Sequence, residues 1–210
     1  SVPSLDIDAQ ASPTYGGGTL SFLHNVQIHS LGTRSGVETF VVINRLRFPL
    51  EVFDAVRAVW RGDRPLGVRI SATDWVEGGW SLDESIELAR QLKAHHCDWI
   101  DVSAGGVSPA QKIPAPTPGV HVPFAREIRR ATGVTTITVG LVTDPKHADS
   151  IIATGDADMV ALARAMLRDP RWPWRAAAAL GGTVAEVPQY GRSLTKDMAG
   201  IFAGFSVAQR

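Results

Sequence analysis

The sequence predicts an α/β fold in which short parallel strands alternate with helices. Four apolar runs of strand length recur roughly every 30 residues, and segments with helical spacing of apolar residues lie between them. Strands joined through helices are parallel, because the helix returns the chain to the same end of the sheet. The four runs are LGVRIS at 66–71, WIDVS at 99–103, TTITV at 135–139 and ADMVAL at 157–162.

Local signals mark where the intervening helices begin and end. Ser81 is a candidate N-cap and is followed by acidic residues, which favours a helix start. Pro123 suits the first turn of a second helix, and Gly133 suits the position just past its end. Asp144 followed by proline predicts the start of a third helix. The runs are apolar on both faces, which predicts that helices or other strands cover both faces.

Two features favour a barrel over a doubly wound sheet. No Gly-x-Gly-x-x-Gly turn follows any strand, so the dinucleotide fingerprint of doubly wound folds is missing from the sequence. Polar or small residues stand at or just past the C-terminal strand ends, where a TIM barrel carries its active site. We therefore predict a (β/α)8 TIM barrel, present as a partial barrel of about four to five parallel strands. The strand-end residues are Ser71, Ser103, Gly140 and Arg164.

The first 43 residues differ from the rest of the chain. They begin with a segment rich in Ser, Pro and Gly, which predicts an irregular arm with one strand near 23–29. A second short apolar run is FVVI at 40–43, and no clear helix is predicted between the two runs. We therefore divide the chain into an arm at 1–43, a half barrel at 44–192 and a tail at 193–210.

Composition and charge exclude several classes of protein. Lys+Arg and Asp+Glu number 21 each, so the 210-residue chain has no basic field for a nucleic acid. No apolar run is long enough to span a membrane, and the N-terminus lacks a signal-peptide pattern. A single cysteine, Cys97, excludes an intramolecular disulfide, and the adjacent His95 and His96 are a poor metal-ligand pair. We expect a cytoplasmic protein without nucleic-acid, membrane or metal partners.

Three residues in or just after the predicted strands are candidates for binding an anion. Gly140 would let backbone approach a phosphate, and Arg164 would add a charged fork of donors. The alternatives are a tight turn for Gly140 and a surface salt bridge for Arg164. Arg69 lies inside an apolar strand, where an arginine is costly unless paired. It either holds an anion or the electron-rich edge of a flavin, or it pairs with Asp101 on the next strand.

Other conspicuous residues have simpler interpretations. His29 ends an apolar stretch and is either an active-site residue or a structural hydrogen-bonding group. Cys97 precedes a strand and is expected in the core. Trp75 and Trp80 follow a strand and are candidates for the wall of a pocket.

Seven motifs occur in an order and spacing that resemble the Old Yellow Enzyme family, in its bacterial thermophilic-like branch. Each motif is weak alone, but the ordered set is specific, and it covers roughly residues 44 to 192. The motifs are NRLRFPLEV at 44–52, VRIS at 68–71, DVS at 101–103, VGLVT at 139–143, ADMVALAR at 157–164, DPRWP at 169–173 and QYGR at 189–192.

The resemblance implies non-covalent FMN, with NADPH or NADH as reductant and an activated alkene as the small-molecule acceptor. Arg69 matches the family arginine near flavin N1 and O2, where negative charge grows on reduction. Gly140, Ala163 and Arg164 match phosphate-binding positions, and Ser103 belongs to the same set of cofactor-binding residues.

The family's catalytic positions are matched less completely. Arg192 matches an arginine that reaches a neighbouring subunit's active site, which implies a homo-oligomer. His29 matches the first member of the substrate-anchoring pair, whereas Gly32 stands at the second position and has no side chain to bond a carbonyl. The first three barrel strands of the family have no recognisable counterpart in the sequence.

Three hypotheses follow. The first is an FMN-dependent oxidoreductase represented by a truncated or rearranged chain. The second is a non-catalytic half barrel that self-associates to bury its open edges, with or without FMN. The third is a barrel for another phosphate-bearing ligand, which leaves the ordered motifs unexplained.

Overall fold

The computed structural model describes residues 36–185, 188–198 and 200–202, with side chains from residue 45 onward. The chain divides into two compact units, Ser1–Val56 and Arg57–Arg210. In the first unit the described part belongs to helix α1, Gly36–Val59, which contains Pro49. The apolar run at 40–43 lies inside this helix, which begins at Gly36, within the interval before the run where no clear helix was predicted. The predicted strand near 23–29 lies outside the described residues.

The second unit contains the predicted succession of strands and helices. The strands are β1 Gly67–Ser71, β2 Trp99–Ser103, β3 Thr135–Thr138 and β4 Met159–Val160. The helices are α2 Leu82–Ala94, α3 Val122–Thr132, α4 Pro145–Ala153, α5 Arg164–Arg168 and α6 Trp172–Leu180, followed by 3₁₀ turns at Pro188–Ser193 and Lys196–Met198. Strand β4 is shorter than its apolar run predicted.

The helix boundaries follow from capping residues that the sequence displays. Ser81 and Glu84 form a reciprocal capping box at the start of α2, an arrangement that stabilises a helix by about 1 kcal/mol. The Asp144 side chain accepts a hydrogen bond from the His147 amide at the start of α4. Helix α3 ends at Gly133, whose φ of 62° is the left-handed conformation that glycine adopts without strain.

The sheet has the strand order of a barrel. Its four strands are all parallel, and each pairs with the next in the chain, giving the order β1-β2-β3-β4. A doubly wound sheet reverses direction at a switch point, and this sheet does not. The order therefore agrees with successive right-handed βα units of a (β/α)8 barrel.

One face of the sheet is buried. Helix α3 packs against β2 and β3, and five strand side chains on that face are at most 8% exposed, whereas Val68 and Val160 on the same face are half-buried. The five are Ile70, Ile100, Val102, Thr136 and Thr138.

The opposite face is open among the described residues. Its central row runs in register from Arg69 through Asp101 and Ile137 to Met159. Arg69 and Met159, on the two outer strands, are exposed. The prediction that both faces are covered is therefore wrong for the described part of the chain. The physical reason is that four strands line only part of a barrel, whose interior is filled by side chains from all eight.

No helix among the described residues is long and apolar enough to cross a membrane.

Candidate functional site

The C-terminal ends of β1 and β2 are joined into one rim by hydrogen bonds between their loops. The Ala72 amide donates to the Ser103 carbonyl at 2.7 Å, and the Gly105 amide donates to the Thr73 carbonyl at 2.9 Å. The Ser103 hydroxyl points back to the Ile70 carbonyl at 3.4 Å. Ser103 is thus half-buried at the rim, where the sequence predicted a cofactor-binding residue.

Arg69 and Asp101 form an ion pair on the open face of the sheet. Arg69 Nη1 donates a hydrogen bond to Asp101 Oδ2, which confirms the pairing considered from the sequence. The Arg69 side chain is 55% exposed, so the premise that it is buried was wrong. It points toward the barrel interior, which this part of the chain leaves open. The second carboxylate oxygen, Asp101 Oδ1, is buried and has no hydrogen-bond partner among the described residues.

Gly140 lies in a tight turn just beyond β3 where a residue with a side chain would be strained. Its φ of 122° is unfavourable for residues with a side chain, and a Cβ there would lie 2.9 Å from Val120 Cγ1. Its carbonyl accepts a hydrogen bond from the Gly119 amide at 2.7 Å. The turn interpretation is therefore confirmed, and the half-buried Gly140 lies beside residues 119–121.

Ala163 and Arg164 follow β4 at the start of α5. The Ala161 amide donates to the Thr138 carbonyl at 2.8 Å, which fixes the end of β4 beside β3. Ala163 is the N-cap of α5 and, like Arg164, is exposed. Arg164 makes no ion pair with any residue in the described ranges, so the salt-bridge alternative finds no support there. Its guanidinium is available to a ligand.

His121 is a residue of this rim that the sequence analysis missed. It immediately precedes α3, and its Nδ1 lies 3.2 Å from where a Cβ on Gly140 would stand. Nδ1 is buried and has no hydrogen-bond partner in the part of the chain that the structure describes. Burial, followed by the charge of Arg69, lowers the pKa of His121, whereas the Val139 carbonyl and Asp101 raise it. No motif marked this residue, because its neighbours come from strands far away in sequence.

Trp75 and Trp80 line a cavity of about 460 Å³ in the loop between β1 and α2, as their positions in the sequence suggested. Trp75 also packs edge-on against Phe124, with ring centroids 5.5 Å apart. Lys112 and Glu77 lie at the wall of the same cavity. The cavity therefore combines aromatic walls with one charge of each sign.

Arg192 lies away from these groups in the chain, in the 3₁₀ turn Pro188–Ser193, and is exposed. The turn is held by Tyr190, whose ring stacks on the Arg171 guanidinium at 4.1 Å. The same guanidinium lies 4.3 Å from the ring of Trp174. Arg192 makes no hydrogen bond or ion pair within the described ranges. His29, the other predicted catalytic residue, lies outside the described residues.

The described residues contain no cluster of His, Cys, Asp and Glu side chains suited to a metal ion. Cys97 is buried in the core, as predicted, and burial raises the pKa of its thiol. A raised thiol pKa makes a cysteine a poor nucleophile at neutral pH.

Comparison with known proteins now identifies the fold family. The profile of the NADH:flavin oxidoreductase / NADH oxidase family matches residues 32–181, most of the chain. The chain belongs to this family.

Named relatives and a solved structure agree with that assignment. The chain is 47% identical over 149 residues to an NADPH dehydrogenase of Geobacillus sp. (strain WCH70), and 44% identical over 149 residues to one of Geobacillus thermodenitrificans (strain NG80-2). Each alignment covers 71% of this chain and 43% of the relative, so the chain spans less than half of their length. A 2-naphthoyl-CoA reductase in complex with 2-naphthoyl-CoA has a TM-score of 0.58 at 26% identity, covering 66% of this chain and 21% of that one.

Membership in the NADH:flavin oxidoreductase family confirms the predicted resemblance and the partial TIM barrel. It also confirms FMN and NADPH as the cofactors of the family to which the chain belongs. The described rim fits the charged part of FMN. At Gly140 no side chain separates a phosphate from the backbone, and Arg164 has a guanidinium without a carboxylate partner in the described ranges.

Proposed function

We propose that this chain forms the flavin-binding part of an FMN-dependent NADPH oxidoreductase of the ene-reductase type. The acceptors would be alkenes activated by a carbonyl or nitro group. The observation that carries the proposal is the turn at Gly140 just beyond β3, where a positive φ and the close approach of Val120 and His121 disfavour a side chain. The names of the relatives support NADPH as the reductant.

The phosphate end of the cofactor is assigned to the loops after β3 and β4. Gly140 would let the phosphate oxygens reach backbone amides, and Ala163 is small enough for the same approach. Arg164 would neutralise the phosphate charge with two parallel hydrogen bonds. Because Arg164 is exposed, its contribution to binding depends on the ionic strength.

The ring end is assigned to the open face of the sheet. The flavin supplies the two-electron chemistry that links oxidation of NADPH to reduction of the acceptor. Arg69 would hold a fixed positive charge at the ring edge where negative charge develops, and this charge is present before the reaction starts. Asp101 orients the guanidinium through the bond to Nη1 and leaves the rest of the fork available. Ser103 completes this edge of the rim.

The substrate side is assigned to His29 and Arg192. His29 would hydrogen-bond the activating carbonyl or nitro group of the acceptor. Arg192 would complete the site of a neighbouring subunit, so we propose a homo-oligomer. Its exposure and the Arg171–Tyr190 stack, which holds the turn in place, support this assignment. Sedimentation velocity measures the oligomeric state, and a strict monomer would contradict it.

The test of the proposed function uses the purified chain and FMN. After removal of free flavin, we expect a yellow protein whose flavin absorption bands are shifted from those of free FMN. Addition of NADPH without oxygen should bleach the visible absorption bands of the bound flavin. FMN mixed with NADPH in the absence of protein is the control.

The two readouts separate the alternatives. Bound flavin that NADPH does not bleach would contradict turnover and favour a half barrel that binds FMN without catalysis. No bound flavin at high micromolar FMN would overturn every flavin-dependent function for this chain.

A further inference from the structure

His121 has a side chain that its own secondary structure does not use. The residue stands at the N-cap of α3 in a helical conformation, and its ring makes no capping hydrogen bond. Ser81 and Asp144, at the corresponding positions of α2 and α4, both use their side chains to cap. The imidazole of His121 therefore points elsewhere, toward the turn after β3.

The loop that carries His121 is attached to the end of β3. Gly119 donates its amide to the Gly140 carbonyl at 2.7 Å, and Val120 donates to the Thr117 carbonyl at 3.1 Å. These bonds attach the loop before α3 to the strand end and bring Nδ1 to 3.2 Å from the Cβ position of Gly140. Nδ1 is buried without a hydrogen-bond partner among the described residues. A buried polar atom without a hydrogen-bond partner, next to a candidate ligand site, calls for a partner from the ligand.

The charges around the ring favour its neutral form. Burial is the largest influence and lowers the pKa of His121, and the nearby Arg69 guanidinium lowers it further. The Val139 carbonyl and Asp101 oppose this shift without reversing it. In a neutral imidazole each nitrogen either donates or accepts one hydrogen bond, and a hydroxyl group can serve as the partner in both cases.

We propose that His121 is a flavin-binding residue whose Nδ1 hydrogen-bonds a hydroxyl of the ribityl chain of FMN. The ribityl chain joins the ring, assigned to Arg69, to the phosphate, assigned to Gly140. The His121 ring adjoins Gly140 and is near enough to Arg69 and Asp101 to interact electrostatically with both. This inference rests on the proposed function. It adds a contact for the ribityl chain, to which none of the other assigned residues is directed.

The test compares two ligands that share the ribityl chain and differ in the phosphate. Dissociation constants of FMN and riboflavin are measured by flavin fluorescence for the wild-type chain and for His121→Leu. We expect both ligands to bind roughly 10-fold more weakly to His121→Leu, the loss of about one buried hydrogen bond. His121→Gln retains a donor and an acceptor and should restore most of the affinity for both ligands.

A matched control is His95→Leu. His95 is the C-cap of α2, ahead of β2 and therefore at the opposite end of the strands from the rim. The same substitution there should leave both dissociation constants unchanged. Should His121→Leu melt at a much lower temperature than the control, His121→Phe keeps a planar ring without nitrogens and carries the same expectation.

Three results would overturn the inference. Unchanged affinities in both His121→Leu and His121→Phe would exclude a hydrogen bond to the cofactor. A loss confined to FMN would assign His121 to the phosphate instead of the ribityl chain. A wild-type chain that binds neither flavin would overturn the proposed function together with this contact, whereas the first two results leave flavin binding intact.

Discussion

Asp101 holds Arg69 across two neighbouring strands. The two residues are register partners on β1 and β2, and Arg69 Nη1 donates to Asp101 Oδ2. The Asp101 side chain is 14% exposed and that of Arg69 is 55% exposed. The carboxylate is therefore the fixed partner, and the guanidinium extends from it into the open face.

This pair leads to a prediction for the redox potential of bound flavin. In Asp101→Asn the charge of Arg69 is no longer compensated, so it should stabilise the negative charge of reduced flavin more strongly. We expect the two-electron potential to rise by on the order of 30 mV, which corresponds to ~1.4 kcal/mol. Reductive titration against a reference dye measures it. Asp98→Asn, at the residue that directly precedes β2, is the control and should leave the potential unchanged. An unchanged or more negative potential in Asp101→Asn would contradict the assignment of Arg69.

The turn at Gly140 can be tested by adding a methyl group. Gly140→Ala places a Cβ 2.9 Å from Val120 Cγ1 at a φ of 122°, which both strains the backbone and closes the turn. We expect FMN affinity to fall at least roughly 10-fold, since the phosphate loses close approach to backbone amides.

A control separates strain from closure of the site. Gly181 also has a positive φ, 68°, but a Cβ there meets nothing within 4 Å. Gly181→Ala should lower the free energy of unfolding by about 1 kcal/mol without changing FMN affinity. Equal FMN affinities of the two variants, measured by fluorescence titration, would argue against a phosphate at Gly140.

Arg164 should distinguish ligands by their phosphate. Arg164→Ala removes the guanidinium assigned to the phosphate, so FMN should bind roughly 10- to 100-fold more weakly while riboflavin binding changes little. Arg168→Ala, on the last turn of the same helix α5, is the matched control. Equal losses for both ligands would rule out a phosphate role for Arg164. Substitution of His121 should weaken the binding of both ligands, so the two residues can be distinguished by comparing FMN with riboflavin.

Arg129 and Asp158 form an ion pair with a structural role in the second unit. Arg129 Nε lies 3.0 Å from both carboxylate oxygens of Asp158, and Arg129 Nη1 donates to the Gly155 carbonyl at 3.1 Å. Asp158 Oδ2 also accepts from the Thr136 amide at 2.9 Å. This carboxylate therefore connects α3, β3 and the segment leading into β4.

The same carboxylate predicts a pH dependence of stability. The hydrogen bond from Arg129 is the main cause that holds the pKa of Asp158 below its usual value of 3.8. The ionised carboxylate therefore stabilises the folded chain fully above pH 3.8, and this contribution is lost as the pH falls through the pKa of Asp158 in the folded state. At pH 7, Asp158→Asn should lower the free energy of unfolding by about 1–2 kcal/mol, and this deficit should shrink at acid pH. Urea unfolding at pH 7 and pH 3 measures both. Asp63→Asn, in the exposed pair Arg61–Asp63, should change stability by less than about 0.5 kcal/mol, and a deficit of Asp158→Asn that persists at acid pH would contradict the charge-based account.

The sequence by itself determined the order of strands and helices and most of their ends. Capping residues such as Ser81 and Gly133 act within a few residues of their own position, so their effect can be predicted from local sequence alone. The same holds for the apolar runs that became β1, β2 and β3. The ordered motifs also determined the family, because they record a fold that the relatives share.

Only the tertiary structure decided which side chains meet. Arg69 and Asp101 are 32 residues apart, and their contact depends on the register of two strands. His121 lies beside Gly140 only because its loop is hydrogen-bonded to that turn, and no local sequence pattern predicts this contact. The open face of the sheet depends in the same way on how many strands surround it, a property of the assembled barrel that the apolar pattern of a single strand does not contain.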